Sequence, residues 1–149
     1  MIRTLAVSTF VIGACAALAA QAPVTAPRAY DASREATVGG VVTSVVPAAG
    51  ADGVVGVHLA VETARGTIVR VHLGPALFIG MNDGSFSADD QVLVTGAFVT
   101  HDGDMALWAR QITKDGRTIT LRSPDGTPRW PYATADDPDG CGVAHAIVR

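Results

Sequence analysis

The chain has 149 residues, with eleven Lys and Arg against fourteen Asp and Glu. The net charge of −3 argues against a nucleic-acid backbone as the main partner, because that calls for an excess of Lys and Arg. The length suits one domain with a modest core.

Residues 1–20 have the pattern of an export signal. Arg3 supplies a positive start, Thr4 to Ala14 is an apolar run, and Ala17-Leu18-Ala19 offers a small-x-small cleavage site. The run is shorter than the roughly 20 apolar residues that a membrane-spanning helix needs. Cleavage there predicts a periplasmic or secreted protein. Ile12-Gly13-Ala14-Cys15 also resembles a lipobox, and lipidation of Cys15 would instead tether the chain to a membrane. Cleavage at the small-x-small site removes Arg3 and Cys15, leaving ten cations against fourteen anions and Cys141 as the one thiol. An internal disulfide is then excluded, and the fold must rest on apolar packing.

Residues 21–34 are rich in Ala and Pro and are expected to be a linker. The folded domain is expected over 35–130. Residues 131–149, with Asp136-Asp137-Pro138-Asp139-Gly140, show no sustained period and are expected to be a disordered tail. Within the domain the signals are almost all β. Ala36 to Val46 is β-branched around Gly39-Gly40, the mark of a bulge or sharp bend in a long strand, and Ala48 to Gly53 follows as a loop. Val57, Leu59 and Val61 alternate with His58, Ala60 and Glu62, and Val69, Val71 and Leu73 alternate with Ile68, Arg70 and His72. Ala64-Arg65-Gly66 between them suits a three-residue hairpin loop closed by a left-handed glycine. That register sets Val61 against Val69, Leu59 against Val71 and Val57 against Leu73, all on one buried face.

Gly74-Pro75 ends the third strand and opens a short apolar helix over Ala76 to Met81, with the proline in its first turn. Asp83-Gly84 closes it. Gln91 to Thr100 is a fourth strand with Val92, Val94 and Phe98 on one side. Asp102-Gly103 turns into a fifth from Met105 to about Thr113, setting Phe98 against Leu107 and Ala97 against Trp108. Asp115-Gly116 turns into a sixth, Arg117 to Arg122, setting Ile112 against Ile119. Three strands, a helix and then further strands is the order of a small OB-like barrel, all-β, with five to six antiparallel strands and one short helix between strands three and four. A β-sandwich is the alternative.

Three segments resemble a family: Gly56-Val57-His58-Leu59, the run Gly66 to Pro75 centred on His72-Leu73-Gly74-Pro75, and Lys114-Asp115-Gly116 on through Leu121 to Trp130. They are similar to a group of small exported bacterial proteins of unassigned function, some of them labelled magnetosome-associated. The resemblance implies an OB-like fold and export, and it brings no catalytic residues. Haem-bearing cousins carry Cys-x-x-Cys-His, which this sequence lacks.

The register places His58 opposite His72 on the outer face, with Cβ atoms about 4.5–5.5 Å apart. Two imidazoles at that distance either stack on a half-exposed sheet or chelate Zn²⁺ or Cu²⁺, with Glu62 or Asp83 as a further ligand. His101 and His145 read as solvated. The carboxylates of Asp52, Asp83, Asp89, Asp90, Asp102, Asp104, Asp115 and Asp125 sit in turns, where Asp tolerates the backbone and bonds to it. They lack the spacing of a calcium loop. Arg110, Lys114, Arg117, Arg122 and Arg129 surround the last hairpin, either as a solvated edge that discourages strand pairing or as a site for a small anionic ligand or an acidic protein. Trp130 suits a cap on the barrel. Ser44, Ser85, Ser87 and Ser123 have no elbow motif, Cys141 and His145 are isolated, and no phosphate loop precedes a helix, so no enzyme is read here. The expectation is an exported, non-enzymatic binding or adaptor module. Its ligand face would be the outside of strands two and three, with Arg70, Glu62 and Trp108, and no cofactor is expected unless His58 and His72 hold Zn or Cu. Nucleic-acid binding by fold analogy alone is the third reading, against the charge.

Overall fold

The computed structural model describes residues 30–49, 54–101 and 104–131. The expected export signal with Cys15, most of the expected linker, Cys141, His145 and the other residues beyond Pro131 lie outside the described residues, as does the side chain of His101. The chain is all-β: β1 (Glu35–Ala49), β2 (Val55–Thr63), β3 (Ile68–Pro75), helix α1 (Ala76–Met81), β4 (Gln91–His101), β5 (Asp104–Lys114) and β6 (Arg117–Thr120). Among the described residues no helix is long and apolar enough to cross a membrane.

The strands form one sheet in the order β3-β2-β1-β4-β5-β6, with neighbours antiparallel and a further short parallel pairing of β3 with β5. β1 serves two partners. Its first half pairs with β4 from Glu35 to Val41, and its second half pairs with β2 from Gly40 to Ala49. One row of register partners runs Val46, His58, His72, Trp108, Ala97, Glu35, crossing β1, β2, β3, β5 and β4 before it meets β1 again. It returns eleven positions from where it began.

Local chemistry accounts for the turns. Gly66 has φ 75° in the three-residue loop of β2 and β3, where its amide donates to the Thr63 carbonyl at 2.9 Å. Asp115 and Gly116 have φ 50° and 75°, both left-handed, as a two-residue hairpin requires. Ile112 faces Ile119, Phe98 faces Leu107 and Ala97 faces Trp108. Three bulges adjust the alternation. Thr43 is the extra residue in β1, Leu73 in β3 and Arg110 in β5. The Arg110 bulge shifts the inward parity, so that Leu107, Ala109 and Ile112 all reach the core. Its carbonyl accepts the amides of Leu121 at 2.7 Å and Arg122 at 3.2 Å.

Several expectations are corrected. Val57 pairs with Gly74 rather than Leu73, because the chain bulges at Leu73 beside a Gly74 whose φ of 125° suits glycine alone. The irregularity in β1 falls at Thr43, while Gly40 is required for a different reason: a Cβ there would lie 2.3 Å from the Glu62 carbonyl oxygen. Ala48 belongs to β1 and is buried. Pro75 caps α1 from outside its first turn. Within the stretch expected as linker, the Tyr30 ring packs against Val99, Ala106 and Trp108, and Ala32–Arg34 form a 3-10 turn.

The main core gathers Val42, Leu59, Val61, Val71, Leu73, Val92, Val94, Leu107, Ile112, Leu121 and Trp130. Each large aliphatic side chain there contributes about 1.5–3 kcal/mol. After β6 the chain folds back through a turn, with Arg122 bridging Pro128 and the Arg129 amide bonding the Leu121 carbonyl at 3.0 Å. This return carries Trp130 onto Gly74 of β3 and edge-on to Phe78 of α1, with ring centroids 5.7 Å apart.

Candidate functional site

The sequence-derived candidates divide into those the fold brings together and those it spends on structure. His58 and His72 do meet. Their rings stack with centroids 4.0 Å apart and planes 3° from parallel. An imidazole presents its lone pair in its own plane, so two parallel stacked rings do not aim at one point and chelation would require a ring to turn. Among the described residues no group of three or more His, Cys, Asp or Glu side chains is disposed to hold a metal. Neither Glu62 nor Asp83 therefore completes a site with the pair.

The proposed ligand face of strands two and three is also partly committed. Arg70 is paired with Asp104 at 3.1 Å. Trp108 is only 4% exposed and so offers no open ring. It points outward from β5 but is covered by Tyr30 and by the Arg122 guanidinium, which lies 5.3 Å from the Trp108 ring centroid. Glu62 remains exposed.

The basic cluster around the last hairpin is dispersed by pairing. Arg110 makes a bidentate bond to Glu35, at 2.6 and 2.9 Å, and the Tyr30 hydroxyl donates to the same carboxylate at 2.5 Å. The Arg110 guanidinium and the Tyr30 hydroxyl together hold the Glu35 carboxyl below its usual range. Burial, with the Glu35 hydrogen bond, pushes the Tyr30 phenol well above its own. Lys114 reaches Asp90 at 2.6 Å and the Ser85 carbonyl at 3.0 Å, which lowers the Asp90 carboxyl. Arg117 bonds Asp83 at 3.1 Å. Arg122 departs furthest from expectation. It is 2% exposed and sits among three rings, 5.0 Å from Trp130, 5.3 Å from Trp108 and 5.7 Å from Tyr30. Its Nη1 donates to the Gly126 carbonyl at 3.3 Å. Arg110, Lys114, Arg117 and Arg122 are thus tied within the chain while Arg129 stays exposed, and Arg122 in particular locks the C-terminal return onto β5 and the residue that precedes the sheet.

The surface left open lies elsewhere. A groove of about 650 Å³ runs over the outside of the sheet where β1 passes from β2 to β4. Two rows of register partners cross it: Glu62, Val41 and Gln91, then Gly39, Leu93 and Thr113. Gly39 has no side chain, which opens the floor between Val41 and Leu93. These two are 38% and 50% exposed and lie side by side on the groove. The carboxylates of Glu62 and Asp115 stand on its rim. The Gly39-Gly40 pair was the sequence signal for this place, read as a bend. The exposure of Leu93 and the adjacency of Asp115 depend on strands far apart in sequence.

These features define a class: a small all-β sheet protein in which Arg70, Arg110, Lys114 and Arg117 are each paired with a carboxylate, and which carries a largely apolar groove of ligand size on the outside of its sheet. Residues 34–119, more than half of the chain, match the model of the MamS/MamX magnetosome protein family, and the chain belongs to that family. No curated protein matches it.

Proposed function

We propose that the chain is an exported, non-enzymatic binding module, built as an OB-type barrel, that holds its ligand in the outer groove at Gly39, Val41 and Leu93. The row of partners that leaves β1 at Val46 and returns to it at Glu35 supports closure, because a stagger along the starting strand accompanies a sheet that meets itself. Helix α1 between β3 and β4 agrees with the OB order. The apolar leader supports export, to the periplasm or beyond it by ordinary cleavage and to a membrane surface if Cys15 is lipidated. The description of the family makes the magnetosome the first place to look for the partner.

The groove carries the reading. It combines ligand-sized volume, exposed aliphatic side chains and rim carboxylates, the mix that binding sites present. The test is a ¹H–¹⁵N titration of the full chain with a panel of short peptides and neutral amphiphiles. At least one probe is expected to shift the amides of Gly39, Val41 and Leu93, and Gly39→Leu is expected to abolish that shift while the rest of the spectrum stays native. A Cβ at Gly39 meets nothing closer than Leu93 Cδ1 at 3.4 Å, an ordinary contact, so the backbone itself has room for a side chain there. Shifts confined to Arg70, His58 and His72 would overturn the reading.

A further inference from the structure

We infer that the groove takes an extended segment of a partner protein with two cations four residues apart and an aliphatic residue midway, Lys/Arg-x-aliphatic-x-Lys/Arg. This deepens the reading of the groove as the binding surface and rests on it. The floor is aliphatic, from Val41 and Leu93, with the gap over Gly39 between them. The rim is acidic on both sides, Glu62 on β2 and Asp115 at the β5–β6 turn. Neither carboxylate meets a cation among the described residues, and the nearby Lys114 is occupied by Asp90. An apolar floor between two unpaired carboxylates is complementary to an apolar segment bearing positive charge.

Spacing sets the motif. From β2 across β1 and β4 to β5 is three strand intervals, about 14–15 Å at 4.7–4.9 Å each. An extended chain advances about 3.3 Å per residue, so groups facing the two carboxylates stand about four residues apart. Positions i, i+2 and i+4 of an extended segment share one face, which puts the middle side chain down between the two carboxylates, beside Val41.

The same spacing argues for a different protein as the occupant. The eleven cations of this chain contain one such pair, Arg110 and Lys114 around Ile112. That triad lies within β5, with Ile112 buried and both cations tied to Glu35 and Asp90. A second copy, net acidic like the first, therefore does not present the motif.

The experiment is fluorescence anisotropy on the full chain with labelled Ser-Lys-Thr-Val-Thr-Lys-Ser, beside the same peptide with Glu for both Lys and one with the two Lys adjacent. The first is expected to bind at least tenfold more tightly than either control, more weakly as salt rises. Glu62→Gln and Asp115→Asn are each expected to weaken it about threefold to fivefold, the scale of an exposed ion pair. Asn suits the left-handed backbone at 115, so that variant keeps the turn. Gly39→Leu is expected to abolish binding. Equal binding of the acidic peptide, or indifference to Glu62 and Asp115, overturns the inference. So does tenfold tighter binding by a chain ending at Pro131, because the chain's own last residues would then occupy the groove. If neutral amphiphiles shift the groove amides and the basic peptide does not, this inference falls while the binding reading stands. If no probe shifts them, both fall.

Discussion

Replacing Trp130 with alanine is expected to remove a large share of the stability of the domain. The ring is 2% exposed, stands edge-on to Phe78, carries the Arg122 guanidinium at 5.0 Å and rests on Gly74. A buried Trp covers about 150–250 Å², worth about 4–6 kcal/mol at the usual coefficient, and Trp-to-Ala changes in cores cost about 3–5 kcal/mol. A domain of roughly 100 residues holds about 5–15 kcal/mol in all. The melting temperature should therefore fall by roughly 15–30 °C. Urea unfolding followed by far-ultraviolet circular dichroism gives the free energy, and Trp108, the other tryptophan, reports on tertiary structure in the variant. A loss under about 1 kcal/mol would mean that the return from Leu121 to Trp130 is not part of the core, since only surface substitutions cost so little.

Gly96→Ala is expected to prevent native folding, because its Cβ would lie 2.0 Å from the Trp108 carbonyl oxygen within paired strands, and a native circular dichroism melt would contradict this. Glu35→Gln tests the Tyr30–Glu35–Arg110 cluster. The Glu35 carboxyl is lowered from its ordinary 4.5, so its contribution is complete above that pH and is lost as pH falls through the depressed value. Wild type should exceed the variant by about 1.5–3 kcal/mol at neutral pH, and the gap should close on acidification; a gap independent of pH refutes the assignment. For the histidine pair, the parallel stack predicts that purified wild type retains no stoichiometric Zn²⁺ or Cu²⁺ after dialysis. Retention that is lost in His58→Ala would restore the chelating reading.

Legibility in the sequence followed the range of the interaction. The β2–β3 and β5–β6 hairpins were readable because turn chemistry at Gly66 and Asp115-Gly116 and alternation along the strands are local signals, and both gave the same register. The stacking of His58 on His72 followed from that register. The bulges at Thr43, Leu73 and Arg110 were not readable, since each is set by what the partner strand and the core require. Arg122 was read as the end of the sixth strand and as one of the basic residues around the last hairpin, on a solvated edge or at an anion site. Its burial depends on Tyr30, Trp108 and Trp130, which come from three distant parts of the chain. The groove was half visible: Gly39-Gly40 marked the bend, while Leu93 and Asp115 reach it only once β4 and β5 are in place.

The most direct test of the groove as the working surface is an isotope-filtered nuclear Overhauser spectrum of the labelled chain with the basic Val-containing peptide bound. The account predicts contacts from the peptide valine methyls to Val41, Leu93 and the Gly39 α-protons. Contacts to His58, His72 and Arg70 instead would place the binding surface on the outside of β2 and β3 and contradict it.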